Sequence, residues 1–323
     1  MAASNNSKPP SVVKYYDNGK ICYKEWHNKD GNLDSTDKPA RVYYRKDGSV
    51  EREEWWRNDR LHRADKPARI RYHENGTIKK EEWWQNDCRH RTDGPATTDY
   101  YDDGSKESEE YWQKGKRHRE DGPARIFYSP NGVTKREEWY KNGKLDRPDG
   151  PARTDYYDNG KIRYKEWRNK DGNLDSTDKP ACVCYRKDGS VEREEWYKNS
   201  RLHRADRPAV IIYNKNGSIK SEEWWKNGEM HCDGGPADIY YRADGSVEYE
   251  DWYQNNRLHR LDGPARVDYN RNGTTIRKIW CQNGQYHRDD GPAAIEYDNS
   301  GNIKSEQWYS KGQPVVPHYT QNQ

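Results

Sequence analysis

The stretch PARIRYHENGTIKKEEWWQNDCRHRTDG, residues 67–94, contains the reading that decides the fold. Two extended runs flank Asn75-Gly76, and an Asn-Gly pair between such runs is a strong short-range hairpin signal. A two-residue type I′ turn needs φ > 0 at both central residues, which Asn and Gly tolerate. With that loop, paired positions sum to 151: Ala68 faces Trp83, Ile70 faces Glu81, Tyr72 faces Lys79, and Arg69 faces Glu82. Ala, Ile, Tyr and Trp then share one face, and Arg and Glu share the other. A second turn follows the Trp pair, and Asp93-Gly94-Pro95 is a third. Proline there suits the first residue of a strand, where no ladder donor is lost. Nothing in the stretch follows a helical period.

The same pattern fills the chain. Proline followed by a small residue recurs at Pro10, Pro39, Pro67, Pro95, Pro123, Pro151, Pro180, Pro208, Pro236, Pro264 and Pro292, at intervals of 28 or 29. Tyrosine stands five residues after each proline and glycine nine after it; tryptophan stands sixteen after it everywhere except at Tyr111. These eleven units form one array over 10–313, with tails at 1–9 (a flexible one) and 314–323. A hairpin cannot bury its aromatic face alone, so the units must stack side by side. The expected fold is all-β: an elongated, twisted antiparallel meander of hairpins. The short LHR-type segment leaves open whether each unit has two strands or a partial third.

Composition fits a thin, wet-edged structure. Leu, Ile, Val and Phe make up about 10% of the 323 residues, whereas Tyr (26) and Trp (14) far outnumber the single Phe127. Tyr and Trp need their polar ends near water or a partner. Net charge is +3, which gives no reason to expect nucleic-acid binding. The sequence shows no signal peptide and no apolar run of 18 residues, and its six cysteines form no CxxC pair; the expectation is a cytoplasmic protein.

Units of the form HRxDGPAxxxYxxxGxxxxEEWWxNG resemble variant MORN (membrane occupation and recognition nexus) repeats, in particular the Trp-rich "DGPA" arrays of large DNA viruses and some bacteria. The resemblance covers all eleven units. It implies a meander of successive hairpins serving as scaffold, spacer or tether, with no catalytic residues to carry over. It also implies a viral source and a virion or capsid-associated place, in host cytoplasm and particle. The common MORN unit is shorter and richer in glycine, a departure that bears on its lipid-binding tendency.

Candidate chemistry is sparse. His62, His90, His118, His203, His231, His259 and His287 recur at one unit position, about 10 Å apart from unit to unit, too far to converge on one ion. They are expected to pack on a turn near the Trp edge or to bond the Asp of DGP. Glu81-Glu82 and its equivalents point to opposite faces and cannot share a substrate. Arg69–Glu82, Arg41–Glu54, Arg125–Glu138 and Arg153–Glu166 are expected as exposed, solvated cross-strand pairs. One residue after the Trp position, Trp56, Trp84, Trp112, Tyr140, Tyr197, Trp225, Tyr253 and Tyr309 alternate to that Arg/Glu face and form a candidate protein-interaction strip. No enzymatic activity, cofactor or metal is expected. The partners expected are proteins, whether other structural components or further copies of the chain, and the alternative is a peripheral tether on anionic lipid.

The string NKDGNLDSTDKPA occurs at 28–40 and again at 169–181. It imitates an acidic calcium loop, but an EF-hand register on Gly31 puts Trp26 at the first ligand position and Asp37 at the last. Segments 15–66 and 156–207 are identical at 44 of 52 positions, so a five-unit block was copied whole. The extra residue that makes both 29-residue intervals reads as a wider turn.

Overall fold

A computed structural model describes residues 9–176 and 178–316, and every described element is a β-strand, a turn or irregular backbone. Residues 1–8 of the N-terminal tail and 317–323 of the C-terminal tail lie outside the described residues. The chain divides into two compact units, Met1–Lys161 and Ile162–Gln323. In the first, eleven long strands run from Val12–Tyr15 to Arg153–Tyr156; in the second, eleven run from Ile162–Glu166 to Ile303–Gln307. Within each unit every long strand pairs antiparallel with the next one in sequence, making a hairpin meander.

The third repeat shows the local logic. Arg69–Tyr72 pairs with Ile78–Glu82, and Arg69↔Glu82, Ile70↔Glu81 and Arg71↔Lys80 all sum to 151 as expected. The last pair does not: Tyr72 lies opposite Ile78, because the register shifts after Arg71. The turn is the reason. Gly76 N–H donates to the His73 carbonyl (3.1 Å) and His73 N–H to the Thr77 carbonyl (2.9 Å). Only Gly76 has positive φ (84°), so this is a type I turn closed by a glycine bulge, not type I′. Asn75 fits the turn through its side chain, whose Oδ1 accepts from Thr77 N (3.0 Å) and Oγ1 (2.7 Å).

Type I′ turns do occur, at the second turn of the repeat. Asn142 and Gly143 have φ of 52° and 86°, Asn86 and Asp87 have 49° and 62°, and nine repeats share this pattern. Each such turn closes its own two-stranded ladder, as Trp84–Gln85 does with Cys88–Arg89. A typical repeat therefore has two long strands and two short ones. In the copied NKDGN segments the ladder shrinks to single bridges, His27↔Leu33 and Arg168↔Leu174. There Gly31 N–H and Gly172 N–H donate back to Asn28 and Asn169 across three-residue loops. One inserted residue has replaced a type I′ turn with a wider bulged one. At the C-terminal end, Tyr309–Ser310 pairs with Gln313–Pro314, and Val315 N–H bonds the Trp308 carbonyl (2.9 Å), so ordered pairing continues past residue 313.

The core is a row of alanines. Ala40, Ala68, Ala96, Ala124, Ala152, Ala181, Ala209, Ala237, Ala265 and Ala293 are all 0% exposed. Each sits where the chain leaves DGP or its variant, and its carbonyl accepts from the backbone N–H of the preceding repeat's Trp, or of Tyr111. Ala68, for example, donates to Glu82 O (2.9 Å) and accepts from Trp55 N (2.8 Å). No larger side chain fits at that crossing without displacing backbone.

Candidate functional site

The Arg/Glu face was expected to be solvated, and the structure corrects this. Glu82 is 1% exposed and Glu54 2%, and Glu110, Glu138 and Glu166 are buried as well. Groups of the short ladder fold over these carboxylates: Arg89 over Glu82, Arg117 and Trp112 over Glu110, Trp56 over Glu54 and Tyr140 over Glu138. Glu82 meets Arg89 from the short ladder (2.7 Å) and Arg69 from its own hairpin (3.4 Å). The expected pairings stand as backbone register for Arg41–Glu54, Arg69–Glu82 and Arg125–Glu138. The ion pairs lean the other way, toward the preceding repeat. Arg69 lies 2.9 Å from Glu54, Arg125 2.9 Å from Glu110, and Arg41 2.5 Å from Glu25. Arg153 places its guanidinium 2.6 Å from Asp155. Burial raises the Glu110 pKa, but Arg117 and Arg125, helped by the Trp112 hydrogen bond, outweigh it and hold it below the ordinary carboxylate range.

All eight residues of the candidate interaction strip are half-buried on this face. Five hold the acid two residues before them, which is buried at Glu54, Glu110 and Glu138 and half-buried at Glu195 and Glu223. Trp56, Trp112 and Trp225 donate Nε1–H to Glu54 (3.2 Å), Glu110 (2.9 Å) and Glu223 (2.9 Å). Tyr140 and Tyr197 donate their hydroxyls to Glu138 and Glu195, both at 3.2 Å. Arginines lie between successive rings: Arg89 is 5.0 Å from Trp84 and 5.2 Å from Trp112, and Arg117 is 4.8 Å from Trp112 and 5.5 Å from Tyr140. Burial first, and then Asp251, raise the Tyr253 pKa. Tyr309 meets Tyr286 edge-on at 5.4 Å.

The opposite face ties repeats together through the tyrosine that recurs five residues after proline. Tyr72, Tyr100 and Tyr128 donate to Glu53 (2.7 Å), Glu81 (2.8 Å) and Glu109 (2.8 Å) of the preceding repeat, and Tyr213, Tyr241 and Tyr269 repeat the contact. The two adjacent glutamates thus serve opposite faces: the first anchors the next repeat's tyrosine, the second its arginine.

The histidines do a job that the sequence reading missed. His62, His90, His118, His203, His259 and His287 each use Nδ1 to accept the backbone N–H that opens the next repeat's type I′ turn, at 3.0 to 3.3 Å. A backbone N–H can only donate, so Nδ1 is the unprotonated nitrogen. A sequence signal for this role exists: where His is missing from the copied segments, Asp34 and Asp175 stand in its place. They accept the same N–H from Asn58 (3.2 Å) and Asn199 (3.5 Å). Burial first, then Lys198 and Lys226, lower the His203 pKa.

The arginine after the His position lies over the tryptophan, 3.8 Å from the ring centroid both for Arg91 on Trp83 and for Arg147, which follows Asp146, on Trp139. Its guanidinium occupies the space where a Cβ on the DGP glycine would stand, 2.9 Å away at Gly94 and 2.7 Å at Gly122. That glycine is favoured by this close approach, not by positive φ. In the copied segments, which have Asp-Ser for His-Arg, Lys38 and Lys179 cover Trp26 (4.7 Å) and Trp167 (5.3 Å) instead.

Cys182 and Cys184 share a strand face, Cys182 being buried with the Tyr164 hydroxyl donating to its sulfur at 3.1 Å. Burial pushes the Cys182 and Cys281 thiols up to about 12, which leaves them poor nucleophiles. Among the described residues no group of three or more His, Cys, Asp or Glu could hold a metal ion, and no helix is long and apolar enough to cross a membrane. In the copied loop, Asn28 Oδ1 is already engaged with the N–H groups of Asp30 (2.9 Å) and Asn32 (3.0 Å).

No family model matches the chain, and no curated protein matches it. Among solved structures it is similar to a chain of the Photorhabdus luminescens Tc holotoxin pore, at 12% identity and a TM-score of 0.17, over 92% of this chain and 17% of that one. It is also similar to a TcdB2-TccC3 chain, at 11% identity and a TM-score of 0.12, over 96% of this chain and 26% of that one. The chain thus spans 17% and 26% of the length of these two solved chains. Likeness this slight says nothing of activity.

Proposed function

We propose that the chain is a non-enzymatic repeat scaffold, a spacer that holds protein partners at set intervals. One observation carries the reading: the polar groups of each repeat are committed to its neighbour. Tyrosine reaches the preceding glutamate, arginine the preceding buried acid, and the His or Asp acceptor the following turn. Such bonding resists sliding and bending between repeats, which is what a spacer needs and what a catalytic centre, built once from convergent groups, does not use. A position among the structural components of a virion belongs to the same proposal.

Crosslinking mass spectrometry on the native source, with purified particles where the source is viral, is the test. The expected result is crosslinks from the half-buried aromatic face to structural proteins or to further copies of the chain. Recovery of the chain free, monomeric and uncrosslinked overturns the proposal, and salt-sensitive binding to anionic liposomes in place of protein crosslinks replaces it with a membrane tether.

A further inference from the structure

In the first unit, one row across the sheet places cations side by side. Arg52 lies directly opposite Arg71, and Arg71 directly opposite Lys80. Like charges at facing positions destabilise a sheet unless something neutralises them. The carboxylates within reach are already shared. Arg52 is 3.3 Å from Glu54, which Arg69 holds more closely at 2.9 Å. Arg71 comes only within 3.9 Å of Glu82, whose oxygens belong to Arg89 and Arg69, and its side chain is 44% exposed. Lys80 alone has its own partner, Asp99 at 2.9 Å.

Arg52 and Arg71 line a groove of about 590 Å³ with Arg45, Lys79, Tyr72 and His73. Arg45 is committed to the Val50 and Tyr72 carbonyls, and His73 is 2.7 Å from Asp102. The remaining acids of the groove, Glu51 and Glu74, are exposed at its rim. The chain contains its own comparisons. A groove of about 570 Å³ in the second unit sets Arg277 opposite Glu296 and Tyr249 opposite Asp268, leaving no cation facing a cation. In the copied block, the counterpart of Arg52 is Arg193, which faces Ile212.

We propose that the groove at Arg52 and Arg71 binds a small oxyanion, a phosphate- or sulfate-bearing ligand seated between the two guanidinium forks. Arg52 and Arg71 are directly opposed on adjacent strands. The Arg52 guanidinium lies 3.9 Å over the Tyr43 ring, a contact that leaves its edge N–H groups to bond oxygens. Two such planar donors suit a tetrahedral oxyanion, which accepts paired N–H bonds. This site is independent of the scaffold reading.

The test is calorimetric titration of the full chain with tripolyphosphate at low ionic strength. Arg71→Ile installs the residue that the copied block carries at this register, so the sheet accommodates it, and affinity is expected to fall by about tenfold or more. Arg52→Gln should do the same, while Arg277→Ile in the balanced groove should leave affinity unchanged. Cosedimentation with phosphatidylserine vesicles separates the sources: loss of vesicle binding in Arg71→Ile points to a lipid headgroup, and loss confined to tripolyphosphate points to a free anion. Affinity unchanged by both Arg71→Ile and Arg52→Gln, or no uptake of either probe by the unaltered chain, overturns the proposal.

Discussion

The two units carry the same buried row with opposite electrostatics. In the first, arginine alternates with acid: Glu54, Arg69 and Glu82 follow one another across three strands, and Arg125 sits between Glu110 and Glu138. In the second, Glu223 faces Val210 on one side and Asp238 on the other, and Asp238 faces Asp251. Three acids therefore stand in succession, with Arg266 beyond them, 3.1 Å from Asp251. Burial pushes Asp238 and Asp251 up to about 6; Glu223 adds to the effect at Asp238, while at Asp251 Arg266 opposes it and Asp238 adds to it. The backbone is the same in both places, so the fold requires a buried polar row but does not dictate its charges. Compensated charge locks the first unit's repeats together; uncompensated charge makes this part of the second unit sensitive to protons.

The comparison breaks most visibly at Glu82. Replacing it with Leu leaves Arg69, Arg71 and Arg89 without their shared carboxylate, and removing one partner of a buried ion pair costs about 3–5 kcal/mol. Glu223→Leu, with no arginine partner to abandon and Asp238 beside it, should cost far less. Urea denaturation of the two variants, read with hydrogen exchange in the affected repeats, measures the gap; equal losses would show that the row acts by packing alone.

The next effect is the proton itself. Asp238 and Asp251 ionise at about 6 when folded, against an ordinary value of 3.8. The folded state therefore holds protons that the unfolded chain has already released. The contribution of these two groups to stability is fullest below pH 3.8 and is lost as pH rises through about 6. Asp238→Asn removes this penalty and should stabilise the second unit by about 1–2 kcal/mol at pH 7, with little change at pH 3.5. Asp238→Arg, which rebuilds the first unit's alternation, should stabilise it further. Thermal denaturation across that pH range reads both, and a destabilising Asp238→Arg would refute the account of the row.

How much of this was legible in the sequence follows from where each signal is local. The period, the hairpins, the two faces and the Arg69–Glu82 register come from spacing within one unit. The type of the first turn is not legible because Asn-Gly satisfies both geometries: Asn75-Gly76 closes a bulged type I turn, while Asn142-Gly143, in the second turn, closes a type I′ one. The Tyr72 partner then moved from Lys79 to Ile78 by the width of that bulge. Glu82 reads as solvated when it is paired only across its own hairpin with Arg69, whereas Arg89 reaches it from the short ladder. The histidine–turn bond spans 24 residues and leaves no pattern within a unit. Its trace is the Asp that replaces His in both copied segments, at Asp34 and Asp175.

A smaller contrast concerns the DGP glycine. Gly94→Ala places a Cβ 2.9 Å from the Arg91 guanidinium and drives it off Trp83, costing about 1 kcal/mol of cation–π stabilisation. In the second unit Cys232 replaces that arginine, and a Cβ at Gly235 meets only its sulfur at 3.9 Å. Gly235→Ala should be neutral, and tryptophan fluorescence should report Arg91 displacement in the first variant alone.

The smallest expected difference is the most specific. His90→Leu removes the acceptor for Lys114 N–H and should cost about 0.5–1.5 kcal/mol, seen as faster exchange of that one amide. His90→Asp, the replacement that the chain itself makes at Asp34, should restore the bond and most of the stability. The two residues part company in acid. A protonated imidazole has no lone pair for the turn, and the lowered pKa of His203 means that its neutral form is favoured by folding. That contribution is present above the ordinary value of 6.5 and is lost as pH falls through the folded value. The Asn227 amide, held by His203, should therefore lose protection on acidification before the Asn58 amide held by Asp34, whose side-chain oxygen keeps an acceptor lone pair whether or not it is protonated. Should both amides lose protection together, the histidine is packing against the turn and not bonding it.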